Sequence, residues 1–236
     1  KGELDDSRSN LDITEKGQKT YIRLKIEGRR HKGDSADIKV HIPENKIVKF
    51  SGVKTDYKIS NIKSAVYGKT MSGDIKLSDV EGKMALSSVS GSIKLKNVKG
   101  KAKLETVSGD MNVSGQLSNT YAKSMSGDLV VDLSQISQLK LKNVSGSTEV
   151  KGELNDHASV SITSVSGDID YISVGKLDAQ CNLISQFGGE ITNKMTDDKA
   201  MASRVKKSLS FVSGKGTGQL SLKTLSGEIN IRNADG

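Results

Sequence analysis

The chain has no tryptophan, one proline, one cysteine and only 3% aromatic residues in a length of 236. Each shortage excludes something. A conventional globular core leans on large side chains, and 34% hydrophobic residues with so few aromatics leave little to build one from. The lone Cys181 excludes an intramolecular disulfide; it alternates with apolar neighbours in Leu177-Asp178-Ala179-Gln180-Cys181-Asn182-Leu183 and reads as a small buried hydrophobe. No apolar run approaches the roughly 20 residues of a transmembrane helix. With 24 glycines against one proline, the composition points to regularly placed turns and not to a Pro-rich disordered chain. The sequence begins at Lys1 and not at Met, which reads as a processed or trimmed chain with an export signal upstream.

The glycines belong to a repeat. Gly73-Asp74-Ile75-Lys76-Leu77-Ser78-Asp79-Val80-Glu81 is a turn followed by a short strand, and new copies open at Gly82, Gly91, Gly100 and Gly109. Apolar residues keep step: Ile75, Leu77 and Val80, then Met84, Leu86 and Val89, then Ile93, Leu95 and Val98, then Ala102, Leu104 and Val107. Positions 55, 73, 91, 109 and 127 are 18 apart, so one coil holds two nine-residue units; the spacing then relaxes to 19, 21 and 22 at Gly146, Gly167 and Gly189. Fixed-period self-similarity means stacked supersecondary units. Alternation along each strand puts Ile75 and Leu77 on one side and Lys76 on the other. The fold class expected is all-β, a parallel β-helix or β-solenoid with coils of about 18–22 residues.

The domain organisation follows. Residues 1–19 form a flexible polar lead, with at most a short strand at Leu11–Thr14, and 20–236 form one solenoid domain. Within it, 20–50 supply an N-terminal cap of two strands, Tyr21–Ile26 and Ala36–Ile42, joined by a turn over Glu27–Asp34. Residues 51–192 are regular coils, 193–207 break the period as a loop or short helix, and 208–236 close the stack.

The outer positions form columns. One turn edge carries Asp56, Asp74, Asp110, Asp128 and Asp168 beside Gly73, Gly91, Gly109, Gly127, Gly167 and Gly227; this is a structural ladder, with Gly supplying positive φ and Asp bonding local backbone N–H groups. Calcium sites of the β-roll kind need an acidic residue in every turn and about six oxygens, which these turns do not offer. Lys58, Lys76 and Lys94 stack outward and are the candidate polyanion-binding residues. Net charge is +8, from 36 Lys and Arg against 28 Asp and Glu, with the signs interspersed. Arg29-Arg30-His31-Lys32 is the densest basic cluster and reads as a solvated turn. His31, His41 and His157 lack ligand spacing, Gly214-Lys215-Gly216 lacks the rest of a phosphate loop, and no nucleophile–base arrangement stands out. Hence no catalytic residues, metal or cofactor are assigned.

The run Val40-His41-Ile42-Pro43, the Ser-Gly-Asp-Ile repeats, Phe187-Gly188-Gly189-Glu190-Ile191 and Ser226-Gly227-Glu228-Ile229 together resemble a bacterial adhesin-like family of unknown function, related to the head domains of autotransporter adhesins. The resemblance spans about residues 20–236. It implies a right-handed, single-stranded β-helix in an exported, periplasmic or cell-surface protein, and it carries over no activity. The function expected is non-enzymatic, adhesin-like binding or scaffolding at the cell envelope. Its partner would be an anionic envelope polysaccharide or a protein, without nucleic acid and with the chain as a monomer. The alternatives are a self-assembling structural rod and a polysaccharide-binding or polysaccharide-degrading β-helix.

Overall fold

The structure, a computed structural model, describes residues 9–26 and 37–234. The chain divides into two compact units, residues 1–43 and 44–236. In the first, β1 (Ser9–Lys16) and β2 (Lys19–Ile26) form an antiparallel hairpin with Leu11 opposite Leu24 and Ile13 opposite Ile22. Gly17, at φ +60°, makes the tight turn that β1 and β2 share. The hairpin corrects two expectations. Residues 9–16 are a strand and not a polar lead, and Tyr21–Ile26 pairs backwards with β1 and not with Ala36–Ile42. Residues 37–42 carry no strand; Ala36, the turn at Glu27–Asp34 and the Arg29–Lys32 cluster lie outside the described residues. A pairing closed by two residues costs less loop entropy than one closed by nine.

The second unit is a β-solenoid. Its rungs begin with β3 (Val48–Lys54), β4 (Tyr57–Ile62) and β5 (Val66–Ser72), and then lengthen so that one strand bends through much of each coil. These long strands are β6 (Ile75–Ser90), β7 (Ile93–Ser108), β8 (Met111–Ser126), β9 (Leu129–Ser145) and β10 (Thr148–Ser166). Neighbours are parallel and in register, 18 residues apart at first: Ile75 sits on Ile93, Leu77 on Leu95 and Met84 on Ala102. Ile75, Ile93, Met111 and Leu129 form one fully buried interior column, and Leu77, Leu95, Val113 and Val131 the next. Among the described residues there is no helix, so none long and apolar enough to cross a membrane.

The two nine-residue halves of a coil are not equivalent. Val80 and Val98 are buried, at 1% and 0% exposure, whereas Val89 and Val107 are 48% and 45% exposed. The difference is made one residue earlier. Asn61, Asp79 and Asn97 have φ of 57°, 55° and 52°, and this left-handed step breaks the alternation so that Ile62, Val80 and Val98 turn inward. Asn and Asp are the non-glycine residues that tolerate such a step. Before the Ser-Gly turns the alternation runs on unbroken. Ser88 and Thr106 therefore point in, while Val89 and Val107 point out.

The coils do not stack in chain order. After β11 (Ile169–Ser173) the chain passes to β12 (Ala179–Gln186) and β13 (Ile191–Asn193), which lie one rung too far along. Residues 193–207, expected as a loop or short helix, hold irregular turns and the short β14 (Met201–Ala202). β15 (Lys206–Ser213) returns antiparallel to β12. Finally β16 (Gly218–Ser226) and β17 (Ile229–Asn233) enter the vacant rung: β16 pairs with β10 on one side and β12 on the other, and β17 pairs with β11 and β13. The stretch 208–236 is thus an antiparallel return plus an internal rung, and not a pair of closing coils.

Candidate functional site

The turn edge is built from glycine and aspartate in different roles. At Gly91, φ is +143° and a Cβ would stand 2.2 Å from the carbonyl oxygen of Gly73 in the rung below. The same approach recurs at Gly109, Gly127, Gly167 and Gly227, so any side chain there would drive two rungs apart. The aspartates do not bond their own turn, as expected, but the next one. Asp56 Oδ1 accepts from the Asp74 N–H at 2.8 Å, Asp74 from Ser92 at 3.0 Å, Asp110 from Asp128 at 3.0 Å and Asp128 from Ser147 at 2.8 Å. Asp168 accepts from the Glu228 N–H at 2.8 Å across 60 residues of sequence, tying in the inserted rung. The Ser92 N–H, with a smaller contribution from Lys76, holds the Asp74 carboxyl below its ordinary value. This edge is a set of staples between rungs.

Under the turns lies a buried polar row that the sequence reading passed over. Thr70, Ser88, Thr106, Ser124, Asn143, Ser164 and Thr224 are each buried two residues before a Ser-Gly pair. Thr224 Oγ1 donates to the Gly167 carbonyl at 3.1 Å, and Asn143 Nδ2 donates to the carbonyls of Gly127 and Gly146 at 3.1 and 2.9 Å. Between the row and the turns stand exposed aliphatics: Met71, Val89, Val107, Met125, Val144, Val165 and Leu225, 39–57% exposed. The signal was present as Thr/Ser/Asn-aliphatic-Ser-Gly, read as one more apolar step of the repeat.

Lysines occupy two faces. On the first, the structure stacks Lys58 on Lys76 and Lys76 on Lys94, as expected. The column then loses its charge and reverses it, passing through Asn112 and Val130 to Glu149 and Asp170. Lys76 is itself paired with Asp74 at 3.4 Å. On the second face, formed by the later half of each coil, one outward column runs Lys49, Tyr67, Ala85, Lys103, Tyr121, Lys140. The column beside it runs Lys69, Ser87, Glu105, Lys123, Lys142. Glu105 is the single acid in these two runs, and Lys103 pairs with it at 3.2 Å.

Other candidate chemistry is structural. Cys181 is buried, and burial pushes its thiol up to about 12, which leaves no thiolate for nucleophilic attack near neutral pH. In Gly214-Lys215-Gly216-Thr217 the backbone turns onto Asp178, whose Oδ1 accepts the Thr217 N–H at 2.9 Å; this and the N–H groups of Lys215 and Gly216 hold the carboxyl low. His41 and His157 are exposed, and His31 lies outside the described residues. Among the described residues, no three His, Cys, Asp or Glu side chains converge on a point.

Parallel rungs of about 18 residues, a glycine turn in each and a single continuous stack define the architecture, and residues 2–232 match the family model Toastrack DUF4097. The chain belongs to the Toastrack family. No curated protein and no solved structure matches it. The family is one of unknown function, so the Toastrack assignment brings a fold and no residue roles. The roles given to the turn edge and the lysine faces rest on their geometry alone.

Proposed function

We propose that this Toastrack chain is a non-enzymatic, monomeric binding or scaffolding module, exported and adhesin-like, that works at the bacterial cell envelope. The observation that carries the reading is the outer lattice of the solenoid. Side chains on successive rungs repeat at about 4.8 Å over the length of the stack, a surface suited to a long regular partner and not to a small enclosed substrate. The resemblance to adhesin head domains supplies the export and envelope elements. The self-assembling rod has less support, because at the far end of the stack the antiparallel strands β15 and β14 cover β12 and leave only the three-residue β13 as a parallel edge.

The test is co-sedimentation of the purified chain with washed bacterial envelope particles, alongside protease accessibility of the tagged protein in intact cells. The expected result is saturable, salt-sensitive retention and cleavage from outside the cytoplasm. A chain that stays in the supernatant at low salt, or is shielded until cells are lysed, removes the reading.

A further inference from the structure

We infer that the second lysine face, and not the column of Lys58, Lys76 and Lys94, is the contact surface, and that its partner is a linear anionic polysaccharide lying along the solenoid axis. The inference rests on the envelope-binding reading above and names its face and ligand chemistry.

Charge favours this face. Lys103, Lys123, Lys140 and Lys142 are exposed and fall on three consecutive rungs. Against them stands one acid, Glu105, which pairs with Lys103 and stacks beside Lys123. The other column keeps one sign for three rungs, is partly neutralised by Asp74, and ends on Glu149 and Asp170, which repel the same ligand. A polyanion running the length of that column would meet lysines at one end and acids at the other, whereas on the second face it meets lysines throughout and the single acid Glu105.

Shape and aromatic placement give the ligand class. Lys103 and Lys140 lie two rungs apart, about 10 Å, with Tyr121 between them. This suits a polymer whose sugar rings advance about one per rung and carry carboxylate or sulfate groups. Tyr67 and Tyr121 are half-buried, with Lys49 Nζ 5.5 Å and Lys103 Nζ 5.9 Å from the respective ring centres. Each pair joins a flat apolar patch for a sugar ring to a cation for its acid group. Small Ala85 leaves a shallow depression of about 230 Å³ between Tyr67, Lys49 and Lys69, floored by Gly68 and Phe50. A Cβ on Gly68 would meet the Phe50 ring at 2.0 Å, so the glycine is what lets that ring fill the floor. Single-stranded nucleic acid fits less well: it wants an aromatic platform for nearly every base, and Tyr67 and Tyr121 stand three rungs apart.

The probe is polygalacturonate of defined length, titrated by calorimetry across a salt series, with its methyl-esterified form as the uncharged control. The wild-type chain binds the acid form, more weakly as salt rises, and the ester at least about tenfold more weakly. The triple variant Lys103→Ser/Lys140→Ser/Lys142→Ser loses at least about tenfold, the combined effect of three modest exposed charge contacts. The matching Lys→Arg triple variant keeps binding, and Lys58→Ser/Lys76→Ser/Lys94→Ser stays near wild type. Unchanged melting curves show that each variant folds. A loss that tracks Lys58, Lys76 and Lys94 overturns the choice of face, and oligothymidylate binding as tightly as polygalacturonate overturns the ligand class. Retention on envelope particles without polygalacturonate binding overturns this inference and leaves the envelope-binding reading standing.

Discussion

Substituting Gly109 by alanine tests the stacking of the solenoid most directly. Two costs add there. The backbone sits at φ +142°, where a residue with a Cβ is strained by about 1–3 kcal/mol. The new Cβ would also stand 2.4 Å from the Gly91 carbonyl oxygen, and a backbone atom cannot swing aside as a side-chain tip can. The rungs must part locally, weakening the hydrogen bonds from Gly91 N–H to Ser108 and from Ile93 N–H to Asp110, 3.0 and 2.9 Å long. At about 0.5–1.5 kcal/mol net for each bond, the sum is about 2–6 kcal/mol. For a unit of this size each kcal/mol lowers Tm by about 2–4 °C, so a mid-range loss of about 4 kcal/mol lowers it by about 8–16 °C. Gly188 is the control: its φ is +93°, but a Cβ there would meet nothing within 4 Å, so Gly188→Ala carries only the backbone cost. Thermal melts by circular dichroism, supported by urea titration, separate the two variants. If Gly109→Ala and Gly188→Ala melt together, close contact between stacked glycines is not what the turn edge is built on.

Val98→Ser should cost about 1.5–3 kcal/mol, the value of burying a valine, because that side chain is 0% exposed; Val107→Ser, at 45% exposure, should stay within about 0.5 kcal/mol, and urea midpoints decide between them. Asp74 is held below its ordinary value of 3.8 in the fold, so its stabilising effect is complete above that value and disappears as pH falls through the lower folded value. Acid titration of Asp74→Asn should therefore show a shallower loss of stability below pH 3.8 than wild type, and identical acid limbs would count against the staple. Cys181, buried with its thiol pushed up to about 12, should resist iodoacetamide at about pH 8 until urea unfolds the chain, and rapid alkylation of the folded protein would contradict its burial.

Much of this fold is legible in the sequence because a solenoid writes each structural need many times. The 18-residue period, the interior column through Ile75, Ile93 and Met111, and the outward stack of Lys58, Lys76 and Lys94 follow from alternation and spacing alone. Three features do not. Val89 and Val80 occupy the same place in the nine-residue pattern, and only the left-handed step at Asp79 separates an exposed residue from a buried one. The hairpin of Ser9–Lys16 with Lys19–Ile26 was obscured by its polar composition, since its pairing depends on a tight turn more than on burial. The stacking order was hidden by the repeat itself: every copy of Ser-Gly-Asp-Ile can sit on every other, so no local pattern tells Ser226-Gly227-Glu228-Ile229 which neighbours to choose. For the same reason the two lysine faces look alike in sequence, and their charge balance emerges only when Glu149 and Asp170 are placed on one of them.

The intercalation of β16 and β17 makes these two strands a keystone. In a solenoid that stacks in chain order, each coil settles on the one before, and trimming from the C-terminus shortens the stack gradually. Here the strands from Ala179 to Ser213 lack their neighbouring rung until β16 and β17 take the place between them and β10 and β11. Completion of this part of the stack therefore waits on β16 and β17. A cut in Gly214-Lys215-Gly216-Thr217 would leave β16 and β17 clamped between neighbours on both sides, whereas a chain stopped before Gly218 would lack a middle course of the wall. A molecule without β16 and β17 is therefore not a shorter stack but one with an open seam inside it.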